Sequence, residues 1–180
     1  STLHVHEFDG SGDDEGLGPK AFNKLAKESC ALVLGFPIDA DEQSVPAGLR
    51  ATTPYGHTGF VLVTARDSAA DTLDELQKNS EVAVIYMTTP NLYFASHPGL
   101  QADVHVTDAD ALKALETHKV GAAMLWQPTV VRFLADRNQA ARFSYHELRE
   151  PHAQFDLVAM YDSDHAPAAV AFEQAIAALS

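Results

Sequence analysis

The sequence predicts an α/β fold on a mostly parallel sheet, and three observations point to it. From residue 81 onward, short apolar runs alternate with helix-like segments: "EVAVIYM" then "TPNLYFASH", "ADVHVT" then "DADALKALETH", "VGAAMLW" then "TVVRFLADRN". Strands separated by crossover helices give that rhythm. The run "ALVLGF", residues 31–36, is apolar at successive positions, as in a strand covered on both faces. Apolar residues make up 46% of the 180, an ordinary globular share, and no run approaches the ~20 apolar residues of a membrane span.

In chain order, "TLHVHEF" alternates Leu3 and Val5 against His4 and His6 and reads as a strand. "DGSGDDEGLG", residues 9–18, is a loop rich in Gly and acid. "PKAFNKLAKES" is a short helix opened by Pro19, with Phe22 and Leu25 inward. "ALVLGF" is the next strand, and "PIDADEQSVPAGLRATTP" is a long aperiodic connection. Residues 60–64 form a strand. "SAADTLDELQKN" reads as a helix with Ser68 as its N-cap and Leu73 and Leu76 inward. The three alternating pairs follow, with Asp108 or Asp110 capping the helix of the second. "ARFSYHEL" and "FDLVAMY" are strands, and "APAAVAFEQAIAALS" is the closing helix.

The net charge of −13 makes nucleic acid and anionic membrane surfaces poor partners, because a polyanion would be repelled. Cys30 is the only cysteine, so no intrachain disulfide forms; beside an apolar strand it is expected to be a buried, unreactive thiol. The chain starts at Ser1 without Met and without a signal-peptide pattern, which fits the expectation of a processed mature protein or of a trimmed chain.

Candidate chemistry is sparse. His4 and His6 share one side of a strand and are the weak metal candidates, but three or four ligands are needed and no partner stands out. "DGSGDDE" places Asp9, Ser11, Asp13 and Glu15 at alternate positions, like a calcium loop, yet its sixth and twelfth places hold Asp14 and Lys20. A nucleophile elbow, a P-loop and an HExxH helix are all missing, so no catalytic residue is assigned. Tyr55, His57, Thr88 and Trp126 are the candidate ligand or cleft residues. Trp126 in particular ends a strand at the edge where open α/β sheets hold ligands.

Several segments resemble the family 3 periplasmic solute-binding proteins. "LGFPID" and "ATTPYGHTGFVLV" match the first-lobe strand and the "FS-x-PYY-x-SG" segment that leads into the crossover strand. "TLDELQKNSEVAVIYMTT" matches "dL-x-gk-x-VAV-x-x-GT", and "DALKALETHKVGAAMLWQP" matches "eAL-x-aL-x-x-G-x-vDA". The resemblance covers most of residues 30–180. It implies a two-lobed fold with a reduced first lobe over 1–62, a second lobe over 63–165, and a last helix, 166–180, packing back.

Two departures bear on the ligand. The family's carboxylate-clamping Arg is missing from "DADEQSV", with Arg50 several residues too late, and Trp126 falls where the family's ammonium-binding Asp stands. A zwitterion left without both charge partners would lose several kcal/mol per desolvated ion, so the expected ligand is not an α-amino acid.

Within that family, "CALVLGFPID" and "TTPYGHTGFVLVT" resemble a branch encoded beside quinoprotein alcohol and methanol dehydrogenases. That resemblance implies a non-catalytic accessory or small structural subunit of a periplasmic PQQ-dependent alcohol dehydrogenase complex. Its partner would be the dehydrogenase or a cytochrome c subunit; PQQ and haem c would sit in those partners, with no cofactor in this chain. The alternative is a stand-alone periplasmic solute-binding protein for a small non-amino-acid ligand. A third reading is a small hydrolase or metal-binding protein.

Overall fold

The computed structural model describes residues 4–6 and 23–179. The acidic loop at 9–18, with its calcium-like spacing, lies outside the described residues. So does most of the first expected strand, of which residues 4–6 show no regular secondary structure. The chain divides into two compact units. One comprises residues up to Ile38, Ser44–Tyr55 and Leu157–Ser180; the other comprises Asp39–Gln43 and Gly56–Asp156. The chain passes between the units at 38/39, 43/44, 55/56 and 156/157.

The second unit is built on β3 (Gly56–Ala65), β4 (Glu81–Ile85), β5 (Gln101–His105), β6 (Ala122–Trp126) and β7 (Phe143–Glu147). The expected parallel arrangement is found in β5, β4 and β6, with Val84 paired to both Val104 and Met124. β3 joins β6 antiparallel, Phe60 opposite Trp126, and β7 joins β3 antiparallel. Successive residues point to opposite faces, and both faces are buried. Val61, Val63, Ala83, Ala123 and Leu125 enter one core with Leu115, Val130 and Phe143. Leu62, Val82, Val84, Ala122 and Met124 enter the other with Leu73, Tyr93 and Leu148. Two-sided burial is why these strands read as unbroken apolar runs. Each fully buried Val or Leu contributes about 1.5–3 kcal/mol.

The connections depart from expectation in instructive ways. Residues 68–79 form no long helix, only a 3-10 turn at Leu73–Glu75. Leu73 is the one buried side chain of that turn, and Leu76, partly buried against the same core, is already extended. The Glu75 carboxylate accepts the Asp71 and Thr72 amides at 2.8 and 3.1 Å, while Ser68 accepts only the Ala70 amide. Thr89–Ala95 is likewise a 3-10 segment. Helix α1 (Asp108–Glu116) is capped by Thr107, whose hydroxyl accepts the Asp110 amide, not by Asp108 or Asp110. The helix expected over 129–138 is split into α2 (Gln127–Leu134) and α3 (Arg137–Arg142), because Asp136 caps a new start by accepting the Asn138 amide at 2.7 Å.

The first unit holds the helical turn Leu25–Ser29, most of β1 (Val33–Asp39), β2 (Arg50–Ala51), the end of β8 (Gln154–Tyr161), and helix α4 (Ala166–Ala177). β2 pairs antiparallel with β8, Ala51 opposite Met160. Among the described residues its core is one small cluster: Ala26, Val33, Ile38, Leu49, Val158 and Met160. β1 is not covered on both faces as expected, since Leu34 is 54% exposed. Val33 and Ile38 lie five apart yet are both buried. Gly35 makes this possible by adopting φ +81, which shifts the alternation by one residue as a bulge does.

Candidate functional site

β4 and β6 run parallel and in step, so their carboxyl ends open onto the same edge of the second unit. Open α/β sheets hold ligands at such an edge. β3 runs the other way and brings Phe60 opposite Trp126. Phe155, at the start of β8, completes a trio. The Trp126 ring lies 5.1 Å from Phe60 and 5.4 Å from Phe155, and the two phenylalanines are 6.2 Å apart, all edge-to-face. Such pairs add about 0.5–1.5 kcal/mol beyond their burial. All three rings stay partly exposed. The close approach of β3 to the segment before β8 depends on Gly59, where a Cβ would meet the Ala153 carbonyl oxygen at 2.5 Å.

Thr88 follows β4 on the same edge. Its hydroxyl donates to the Ile85 carbonyl at 2.7 Å and accepts from Asn91, whose amide also donates to the Ile85 and Thr88 carbonyls. The Thr88 hydroxyl therefore shapes the turn. The side chains that this turn presents outward are Tyr86 and Met87, 64% and 83% exposed. Met87 sits at φ +59, in the place of the Gly of the "VAV-x-x-GT" pattern. A left-handed conformation costs a side-chain-bearing residue about 1–2 kcal/mol.

The other expected residues make contacts of their own. His57 is exposed, and its Nδ1 pairs with Asp156 Oδ1 at 2.7 Å. Tyr55 belongs to the first unit, where its hydroxyl accepts the Gly35 amide at 2.6 Å and its ring meets Phe172 edge-on at 5.4 Å. Both contacts are internal to that unit. His4 and His6 are exposed and share in no metal-type cluster among the described residues. Cys30 is free but only partly buried, packed against the first unit's apolar cluster.

One cluster was not foreseen. Asp39, Asp41 and His152, all in the second unit, bring three potential ligand atoms within 4.8 Å of one another. His152 Nδ1 lies 2.7 Å from Asp39 Oδ2 and 3.9 Å from Asp41 Oδ2. Partial burial alone would raise the Asp39 carboxyl, but the Asp41 amide and the His152 ring outweigh it and hold the group below its ordinary value. The Asp39 carboxylate raises His152 in turn. Tyr93, whose hydroxyl donates to the Pro151 carbonyl, is pushed up to about 12 by burial and then by the charges of Glu150, Asp39 and Asp41.

No family profile matches the chain, and no curated protein matches it. Solved structures do. The L-cystine solute receptor of Neisseria gonorrhoeae, unliganded and open, shares 19% identity at a TM-score of 0.60 over 73% of this chain and 54% of its own. The GluR0 ligand-binding core with L-glutamate shares 18% at 0.55, over 87% and 73%. A periplasmic binding protein of an arginine transport system from Legionella pneumophila shares 15% at 0.52, over 89% and 72%. The fold is that of the two-lobed periplasmic binding proteins. The chain spans about half the length of the cystine receptor.

These likenesses correct one expectation. The structures named above are solute receptors and ligand-binding cores, and none of them links the chain to a quinoprotein dehydrogenase branch, so the accessory-subunit reading loses its support. In the short segments that suggested the branch, Gly59 answers a backbone need, since a Cβ there would meet the Ala153 carbonyl oxygen. They are signatures of fold, and fold alone does not fix a partner.

Proposed function

We propose that this protein is a non-catalytic, extracytoplasmic solute-binding protein whose ligand is a small solute with an apolar or aromatic face, not an α-amino acid. The observation that carries the reading is Trp126. It stands at the carboxyl edge of the parallel strands, partly exposed, braced by Phe60 and Phe155, in the place where the resemblance puts an ammonium-binding Asp. An indole there offers a flat apolar face and a single N–H donor. An ammonium group desolvated against it without a carboxylate would lose several kcal/mol. The absence of an Arg from residues 39–45 works in the same direction against an α-carboxylate. Among the described residues no helix is long and apolar enough to cross a membrane.

Trp126 is the only tryptophan, so intrinsic fluorescence reports on this edge without interference. Titration with small aromatic and aliphatic non-zwitterionic solutes is expected to shift or quench the emission, and Trp126→Ala to abolish binding measured by calorimetry. Cystine, arginine and glutamate are expected to leave the emission unchanged. Micromolar binding of any amino acid would overturn the ligand class. Calorimetric binding that leaves Trp126 silent would overturn the site.

A further inference from the structure

The chain crosses into the second unit for only five residues, Asp39–Gln43, between two stretches that belong to the first. Within those five, Asp39 and Asp41 face His152, which lies more than a hundred positions later. Two carboxylates alone would make a solvated acidic patch. An imidazole nitrogen between them changes the donor set to one suited to a transition metal.

We propose that Asp39, Asp41 and His152 bind a divalent transition ion of the zinc class, through Asp39 Oδ2, Asp41 Oδ2 and His152 Nδ1. In a tetrahedral site with bonds of about 2.0–2.1 Å, neighbouring ligand atoms stand roughly 3.3 Å apart. The two separations from His152 Nδ1 are 2.7 and 3.9 Å, one below that spacing and one above it. Small rotations that open the first and close the second bring both to the required value. The carboxylates are already oriented from behind: Asp39 Oδ1 accepts the Asp41 amide, and Asp41 Oδ2 accepts the His152 amide, each at 2.8 Å. Such outer hydrogen bonds hold ligands in place in metal sites, and the second lone pair of Asp41 Oδ2 remains for the ion. Asp41 and His152 are 59% and 47% exposed, so an ion can enter and a water can take a fourth position. The ion would displace the proton from Nδ1, neutralise two carboxylates, and fix the Asp39–Gln43 segment to the loop at His152. Because the proton and the ion compete for Nδ1, affinity rises with pH.

The test is calorimetric titration of chelator-treated protein with Zn2+, in a His4→Ala/His6→Ala background so that the two N-terminal histidines contribute nothing. One ion per chain is expected. Asp39→Asn and His152→Ala should each weaken binding by more than about 100-fold, the upper end of what changes to outer-shell groups alone produce. Absence of binding in the background protein, or unchanged affinity in His152→Ala, overturns the proposal. Should a variant lose its fold, Co2+ added to the unsubstituted His152 protein decides. Paramagnetic shifts on the His152 ring support the site, and a bound Co2+ that leaves that ring unshifted overturns it. Neither outcome depends on whether Trp126 binds a solute.

Discussion

The two units bury their strands differently. In the second, β3, β4 and β6 send alternate residues into two separate cores, so nearly every side chain of Val61–Val63 and Val82–Val84 is out of water. In the first, the described residues form one cluster of six buried hydrophobics, with Leu25, Cys30, Phe36 and Ala51 partly buried against it, and Ala159 and Ala169 are buried outside that cluster. A sheet filled on both sides loses cohesion only when one whole layer is breached. A unit held by one small cluster loses a larger share of its burial with each side chain removed. The difference teaches that stability here is unevenly distributed, and that unfolding need not be a single two-state event.

The largest effect that could break this comparison is a paired truncation. Leu125→Ala is expected to cost about 2–5 kcal/mol and to raise hydrogen exchange throughout β3, β4 and β6. Met160→Ala should raise exchange in β2 and the end of β8 while leaving β4 protected. Equal loss of protection in both units from either variant would show that they open together.

A smaller effect comes from Gly59→Ala. The added methyl would meet the Ala153 carbonyl and the Gln154 side chain, each at 2.5 Å, and backbone cannot swing aside. Overpacking of this kind costs about 1–3 kcal/mol, read as a lower urea midpoint. It should also perturb the Trp126 emission, since Phe60 follows directly on β3. A variant as stable as the parent would mean that β3 and the chain before β8 are not held closely together.

The smallest is a pH effect confined to the second unit. The Asp39 carboxylate raises His152 above its ordinary value of 6.5, so that contribution is complete below 6.5 and fades as pH rises through the raised value. Asp39 is held below 3.8, so its contribution is complete above 3.8 and fades as pH falls through the lowered value. Asp41 and Glu42 also face His152 and act in the same direction on it. Both contributions are present between about 3.8 and 6.5, and an exposed pair makes a shallow maximum there. Protection at the amides of Asp41 and His152, corrected for the intrinsic pH dependence of exchange, should be greatest in that window, and His152→Ala should flatten the profile. A profile unchanged in the variant would assign the dependence to other histidines.

Where hydrophobic period and burial agreed, the sequence was legible. "EVAVI" and "AAMLW" could be read as strands because both faces are buried, and Asp108–Glu116 as a helix because Ala111, Ala114 and Leu115 share one side. Residues 68–79 were not legible, because Leu73 and Leu76 stand three apart as on a helix and pack against the same core, yet Leu76 reaches it from extended backbone. Counting along the chain put Trp126 at the strand end. Its neighbours Phe60 and Phe155 could not be found that way, since they meet it only through strand register. The same holds for Asp39 and His152, which no local pattern connects.

The second unit occupies almost one unbroken stretch of chain, whereas the first needs residues 157 to 161 of β8 to pair with Arg50–Ala51. A growing polypeptide leaves the ribosome, and a translocated one its channel, in order from the amino end. Val61 through Phe155 can therefore collapse into two cores while Val33, Ile38 and Leu49 still await Val158 and Met160. During that interval the apolar residues of the earlier segment are unsheltered nascent chain, the kind of surface that holding chaperones bind, and the arrival of Val158 and Met160 determines when they are released.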